Sequence, residues 1–278
     1  MIDFYRDSGA AGVTILGIMG EAAKLDPDES RAIARRVIAR AGLPVVVGVA
    51  APGFAGMRAL AREAMENGAA GVMVGPVPHL RTDEQILGWF ANAVEAIGPD
   101  TPWVLQDYPL TLTCQMSVPV IAAIMQAHPS CVMLKAEDWP GLEKISALRR
   151  LQAQGGLRPF SILTANGGLF LDLEYGRGAN GSMTGYAFPD MLVDLHRMQS
   201  GGQREAAHDL FDAHLPLIRL EQQPGVGLSV RKHILMRRGL IASDAQRRPG
   251  PGLTPAAQEE VAYLLGRLAR KDPRAGLR

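Results

Sequence analysis

Seven short apolar runs, each followed by a segment of helical periodicity, constrain this chain more than any other feature. They occupy 13–16, 44–50, 71–76, 103–106, 132–136, 160–164 and 181–184. Continuous apolar character, as in Pro44-Val-Val-Val-Gly-Val-Ala50, fits parallel strands covered on both sides. Alternation at this cadence means an open doubly wound sheet or a (β/α)8 barrel. No Gly-x-Gly-x-x-Gly follows any run, which weakens a dinucleotide-binding reading. Polar residues collect after the runs, at 17–21, 106–108 and 135–137 and at Asn166 and Tyr186, where a barrel sets its active site. From 189 onward the pattern is helical, over 189–199, 203–220, 225–238 and 255–270. The expected fold is α/β, a (β/α)8 barrel over 1–188 with a C-terminal helical extension over 189–278 packed on it. One count does not close. A barrel needs eight strands, and the chain offers about seven, opening in what reads as the last half of a helix at 2–7.

Local signals support the helices. Asp26-Pro-Asp-Glu29 has an N-cap, a proline at the first helical position and a glutamate placed for a capping box. Thr82-Asp-Glu-Gln85 repeats the pattern, Ser117 caps another helix, and Gly68 is placed as a helix terminator.

Charge excludes some functions. The chain has 29 Lys+Arg against 28 Asp+Glu, which argues against a nucleic-acid or membrane-surface role. No apolar run approaches the roughly 20 residues of a membrane helix. Met1-Ile-Asp-Phe-Tyr-Arg is polar from its third residue, unlike a signal peptide. Cys114 and Cys131 lack metal spacing and fit reduced thiols in a cytoplasmic protein. The six histidines show no ligand spacing, and no metal is implied.

Cys131-Val-Met-Leu-Lys135-Ala-Glu137-Asp-Trp139 carries the chemistry. An apolar strand that ends in a lysine is unusual, because burying an unpaired ammonium is costly. Two readings stay open from these residues. Lys135 reaches water or pairs with Glu137 or Asp138; or it is a Schiff-base lysine kept neutral by apolar surroundings, with Val132, Leu134, Met19 and Ile162 as the candidates. Alternation puts Glu137 on the face of Lys135, with Cα atoms roughly 6–7 Å apart. Glu137 is the first candidate for a general acid/base, and equally for an ion-pair partner of Lys135 or an arginine.

Three stretches, in order, resemble the dihydrodipicolinate synthase / N-acetylneuraminate lyase family. Gly17-Ile-Met-Gly-Glu21, with Lys24-Leu25 behind it, is similar to the family's Gly-Thr-Thr-Gly-Glu loop. Asp107-Tyr-Pro109 resembles the end of its Tyr-Asn-x-Pro segment, and Gly178-Ala-Asn-Gly-Ser-Met-Thr184 its last strand segment. The resemblance covers nearly the whole chain and implies a TIM barrel. It places Lys135 where the family carries its Schiff-base lysine, on the sixth barrel strand, although it lies on the fifth run here. The family's first strand is then expected to lie upstream of Met1. The resemblance also implies a 2-oxo acid substrate, no cofactor beyond the covalent lysine imine, and a homodimer or homotetramer.

The departures carry equal weight. The loop's two threonines are Ile18 and Met19 here, so the hydroxyl relay is absent, although backbone N–H groups of Gly17, Ile18, Met19 and Gly20 can still hold a carboxylate. The acid/base tyrosine aligns with Gln106, which cannot titrate. Tyr108, two residues on, is its candidate substitute. The synthases' arginine should fall near Thr111, and none is there; their exchanged tyrosine should fall in Val77-Pro-His79, which has none. Synthase activity is therefore not expected. Gln106-Asp107 and Lys135-Ala-Glu137 look closer to the L-2-keto-3-deoxyarabonate dehydratase branch, as do Leu215-Pro-Leu217, residues 230–238 and Ile241-Ala-Ser243. The expected function is a lyase that forms an imine through Lys135, with Glu137 and Tyr108 as acid/base candidates. Gln106, Asn166, Thr184 and Tyr186 are expected as substrate contacts beside the 17–20 loop. It either dehydrates a 2-keto-3-deoxy sugar acid or cleaves its substrate to release pyruvate. The alternative is a relative that binds 2-oxo acids without turning them over.

Overall fold

The structure is a computed structural model and describes residues 1–139 and 141–277. Its contacts divide the chain into two compact units. One holds Ala11–Ala165 and Leu173–Met183; the other holds Met1–Ala10, Asn166–Asp172 and Thr184–Arg278. The helical unit thus takes in the N-terminal helix and a mid-chain segment as well as the tail that the sequence set apart at 189.

The first unit is built on one seven-stranded parallel sheet. The strands are β1 (Val13–Ile15), β2 (Val45–Gly48), β3 (Gly71–Val74), β4 (Trp103–Asp107), β5 (Cys131–Ala136), β6 (Ser161–Thr164) and β7 (Gly181–Ser182), paired in chain order. Each of the first six is followed by a helix: α2 (Pro27–Ala41), α3 (Phe54–Glu66), α4 (Asp83–Ile97), the short α5 (Pro109–Leu112) with α6 (Val118–Ala127), α7 (Leu142–Ala153) and α8 (Leu171–Gly176). All-parallel pairing in sequential order is the TIM-barrel pattern. Among the described residues there are seven strands and no pairing of β7 with β1.

The capping signals act as read. Asp26 accepts the Glu29 N–H at 2.8 Å, and the Glu29 carboxylate accepts the Asp26 N–H at 3.1 Å. Thr82 and Gln85 form the same box on α4. Each cap contributes about 1 kcal/mol. Gly68 ends the α3 segment at φ +90°, a conformation that residues with a Cβ rarely adopt. The core between sheet and helices is anchored by Trp103, fully buried and stacked on Phe90 with ring centroids 5.9 Å apart. An aromatic side chain of this kind buries roughly 150–250 Å², worth about 4–6 kcal/mol before entropy.

The second unit comprises α1 (Ile2–Asp7), the turn Asn166–Gly168, and α9 (Pro189–Ser200), α10 (Arg204–Glu221), α11 (Gly227–Arg237) and α12 (Pro255–Leu268). Arg238 binds α1 into it. Its guanidinium lies 5.0 Å from the Phe4 ring centre and 4.3 Å from that of Phe188, and it pairs with Asp190 at 2.7 Å. No described helix is long and apolar enough to cross a membrane.

Candidate active site

β4 and β5 assemble the site through an irregularity in their ladder. Trp103 registers with Cys131, but the next pair is Val104 with Met133, so Val132 is an extra residue in β5. Beyond this bulge Gln106 registers with Lys135, and Asp107 with Ala136. Gln106 and Lys135 therefore share a face, and Glu137, two residues on, joins them. Its N–H donates to the Asp107 carbonyl at 2.9 Å, which ties the turn after β5 to the end of β4.

The three side chains converge on one atom. Glu137 Oε2 accepts from Gln106 Nε2 at 2.7 Å and lies 3.0 Å from Lys135 Nζ. The Lys135 side chain is 13% exposed and that of Glu137 is 6% exposed. Glu137 is thus the ion-pair partner of Lys135, one of the two roles its spacing allowed. Gln106 orients the carboxylate: its amide dipole fixes which oxygen meets the lysine. One oxygen takes both contacts, and Oε1 takes neither.

The apolar surroundings differ from expectation. Leu134 is adjacent to Lys135 in the strand and so points to the opposite face. Ile162 registers with Leu134 and goes with it. Val132 is the bulge residue and 45% exposed. Met133, and Leu163, which registers with Lys135, share the face of the amine instead.

The opposite face of β4 holds a second polar cluster. Asp107 is fully buried, and Lys144 from the first turn of α7 reaches it at 2.7 Å. Lys144 Nζ also meets Asp138 at 2.5 Å and donates to the Met116 carbonyl at 2.7 Å. The Asp107 carboxyl is raised to about 6: burial pushes it up against the pull of Lys144, with Asp138 and Glu137 adding to the rise. Asp107 Oδ1 is buried without a hydrogen-bond partner. Sequence reading missed Lys144. Its signal was a lysine in a helix's first turn, against the preference set by the helix dipole.

The loop after β1 is a 3-10 turn, Ile18–Gly20, entered through Leu16 at φ +54° and left through Glu21 at φ +57°. Its internal bonds use the N–H groups of Gly20 and Glu21, bonded to the Gly17 and Ile18 carbonyls, and not those of Ile18 and Met19. Both side chains are exposed. Glu21 is buried and pairs with Lys24 at 3.0 Å, a carboxylate that holds its own loop.

Other expected site residues are placed differently. β4 ends at Asp107, and Tyr108 is the N-cap of α5 at φ −128°, ψ 69°, so strand alternation does not carry it onto the Gln106 face. Among the described residues no hydrogen bond joins its hydroxyl to Lys135 or Glu137. Asn166, Thr184 and Tyr186 belong to the second unit. Asn166 sits at φ +51° with a buried Oδ1 that has no partner. Thr184 is partly exposed. Tyr186, expected as a substrate contact, is buried with its hydroxyl 2.9 Å from His214 Nδ1. Burial and the nearby Glu221 hold that phenol well above its usual range, so it donates to His214 as a core hydrogen bond. Adjacency to a strand end reads as an accessible position; the packing of Phe188 and His214 around the Tyr186 ring removes that access.

The dihydrodipicolinate synthetase family matches residues 1–268 of the chain. The chain belongs to that family. A crystal structure of dihydrodipicolinate synthase from Rhodopseudomonas palustris superposes with a TM-score of 0.94 at 63% identity, covering 96% of this chain and 89% of that one. The L-2-keto-3-deoxyarabonate dehydratase of Azospirillum brasilense is 28% identical over 273 residues, 96% of this chain and 86% of its own length. The 4-hydroxy-tetrahydrodipicolinate synthase of Rhizobium meliloti is 27% identical over 268 residues, 94% of this chain and 88% of its own length. The resemblance drawn from three short stretches thus extends over the whole matched length. Membership of the dihydrodipicolinate synthetase family makes the Lys135–Glu137–Gln106 cluster, at the carboxyl ends of parallel strands, the candidate catalytic centre.

Proposed function

We propose that this member of the dihydrodipicolinate synthetase family is a Schiff-base-forming lyase of 2-oxo acids, with Lys135 as nucleophile and Glu137 as acid/base. The observation that carries this reading is the single carboxylate oxygen of Glu137 shared by Lys135 Nζ at 3.0 Å and Gln106 Nε2 at 2.7 Å. The neutral lysine nitrogen, its third proton lost to solvent, attacks the keto carbon; the keto oxygen leaves as water with two protons, one of them returned from solvent, and an iminium remains. That iminium draws electrons from C3. Loss of a C3 proton to Glu137 gives the enamine, which expels the C4 hydroxyl as water with that proton returned; alternatively, removal of the C4 hydroxyl proton cleaves the C3–C4 bond to give an aldehyde and the enamine of pyruvate, which takes the proton back at C3 to become the imine. Hydrolysis of the imine returns Lys135 in either case. The proton transfers at the substrate's C3 and C4 fall to Glu137, and Gln106 keeps its carboxylate turned to the lysine.

The dehydratase branch of the reading rests on position 106. A glutamine serves dehydration, where the acid is Glu137, but not a synthase mechanism that needs a titrating tyrosine. The name of the Rhodopseudomonas palustris protein points to the synthase; Gln106 and Thr111 point away from it. The Ile18 and Met19 N–H groups, which the loop's internal bonds do not use, would take the substrate carboxylate, as backbone nests do for anions. Assembly as a homodimer or homotetramer is part of the same proposal, and light scattering tests it. A second reading, binding without turnover, is favoured by the Ile18-Met19 side chains, which supply no hydroxyl to the loop.

The test is borohydride reduction with pyruvate and with 2-keto-3-deoxy sugar acids, followed by peptide mass spectrometry. A reduced adduct on Lys135 is expected. No adduct from any 2-oxo acid tested would overturn the imine mechanism.

A further inference from the structure

Lys144 lies on the far face of β4 from Lys135 and touches none of the three converging side chains. All three N–H donors of its ammonium are nevertheless committed: to Asp107 at 2.7 Å, to Asp138 at 2.5 Å and to the Met116 carbonyl at 2.7 Å. An ammonium has three donors and no more. The two carboxylates belong to the residues that directly follow Gln106 and Glu137. Met116 directly precedes the cap of α6. The lysine therefore pins the end of β4, the turn after β5 and the entry to α6 to a single point on α7.

This cluster is a poor stability device. Buried ion pairs commonly do no better than apolar residues of the same volume, and Asp107 Oδ1 is buried with no partner at all. What it does supply is geometry. The Glu137 N–H is already tied to the Asp107 carbonyl at 2.9 Å. Fixing both the Asp107 and Asp138 side chains leaves the intervening Glu137 backbone little freedom. A proton-transferring carboxylate must be held within a fraction of an ångström.

We propose that Lys144 is a positioning residue: it clamps Asp107 and Asp138, and through them aims the Glu137 carboxylate at Lys135 and at the substrate's C3 proton. The proposal rests on the imine reading of Lys135. It predicts that the step needing a base suffers while the step needing only the lysine survives.

Pyruvate is a sufficient probe, because two measurements on it separate these steps. Borohydride trapping counts imine on Lys135. Exchange of the pyruvate methyl protons in D₂O, followed by NMR, counts removal of a C3 proton from that imine and return of a deuteron. Wild type should show both. Lys144→Met should keep the trapped adduct within about twofold but slow methyl exchange at least tenfold. Asp138→Asn, which leaves the Lys144–Asp107 pair in place, should lower the same exchange-to-adduct ratio less. It carries the test should Lys144→Met fail to fold by circular dichroism. A folded Lys144→Met with the wild-type ratio overturns the proposal, as does a parallel fall of adduct, exchange and Tm, which marks a merely structural lysine. If Lys144→Met does not fold, an unchanged ratio in Asp138→Asn overturns it. No adduct in wild type overturns the imine reading, and the role of Lys144 with it.

Discussion

Gln106 faces Lys135 across the β4–β5 ladder because one residue of β5, Val132, has no partner in β4. Had the register run on from the Trp103–Cys131 pair without the bulge, Lys135 would sit opposite Asp107. A one-residue slip carries every side chain to the other face of a neighbour's pattern. The bulge thus decides which polar residue of β4 the lysine meets: the neutral amide that orients Glu137, instead of the carboxylate that Lys144 takes on the helix side. Bulges next to active sites commonly re-aim a side chain in this way.

If Glu137 is the acid/base, Glu137→Gln should separate imine formation from proton transfer. The substitution keeps the shape and removes the titrating group. Borohydride trapping on Lys135 with pyruvate should persist, and methyl exchange in D₂O should fall by about 10²–10⁴-fold, the usual worth of a positioned acid/base. Loss of the adduct with exchange surviving on whatever imine forms would reassign Glu137 to holding the lysine.

Gln106 is predicted to act through charge compensation of that carboxylate. Gln106→Leu removes one of two contacts to a buried oxygen and should cost about 1–3 kcal/mol of stability, read as a lower denaturation midpoint in urea. Gln106→Glu should be worse for chemistry than for folding. It puts a second carboxyl within hydrogen-bond reach of Glu137, and two such groups share a proton instead of both ionising. Methyl exchange should then peak at a higher pH than in wild type. An exchange profile unchanged by Gln106→Glu would remove Gln106 from the site.

Much of this was legible beforehand, for physical reasons. The seven strands, the Asp26 and Thr82 capping boxes and the Lys135–Glu137 face all follow from short-range rules of period, sterics and local hydrogen bonding. What failed were inferences needing the third dimension. Val132, apolar and near Lys135, reads as a pocket wall from the sequence, but a bulge cannot be seen in one strand. It is a mismatch between two. Alternation alone carries Tyr108 onto the Gln106 face, yet β4 stops at Asp107 because Pro109 opens a helical turn. The pairing of Lys144 with Asp107 spans 37 residues. Tyr186 looked like a strand-end contact because its partner His214 is 28 residues away.

Asp272 is predicted to give the second unit its acid sensitivity. Burial raises its carboxyl, but hydrogen bonds from Arg274 and His214 outweigh that and hold it at about 2, below the ordinary 3.8. Between those values the unfolded chain binds the proton and the folded chain does not, so stability rises with pH across that window. The benefit is complete above about pH 4 and is lost as pH falls towards 2. Asp272→Asn should therefore lower Tm at pH 6, and the gap to wild type should close between pH 4 and 2. A gap that stays constant over that range would mean Asp272 acts by shape and not by charge.

The buried pair of Glu221 and Arg231 offers the last and sharpest test of the second unit. Their side chains are almost fully buried, with Arg231 Nε 2.9 Å from Glu221 Oε2. The other carboxylate oxygen accepts the Ala187 N–H at 3.3 Å. Burial raises the Glu221 carboxyl, and Arg231 pulls it back. Arg231→Met strands that carboxylate and should cost about 3–5 kcal/mol, whereas the double variant Arg231→Met with Glu221→Gln removes both charges and should recover most of the loss. The pH dependence has a definite sign. Without Arg231, Glu221 keeps its proton in the folded state to a higher pH than in the unfolded chain. The folded state then binds more protons, and the single variant loses stability as pH rises above the ordinary carboxylate value. Urea unfolding of both variants at pH 4.5 and pH 8 decides it. The single variant should be the less stable at pH 8, with the gap narrowing at pH 4.5. A double variant no better than the single one would show that Arg231 is held by packing, beginning with Gly185, where a Cβ would stand 2.7 Å from its Nη1, and not by the charge of Glu221.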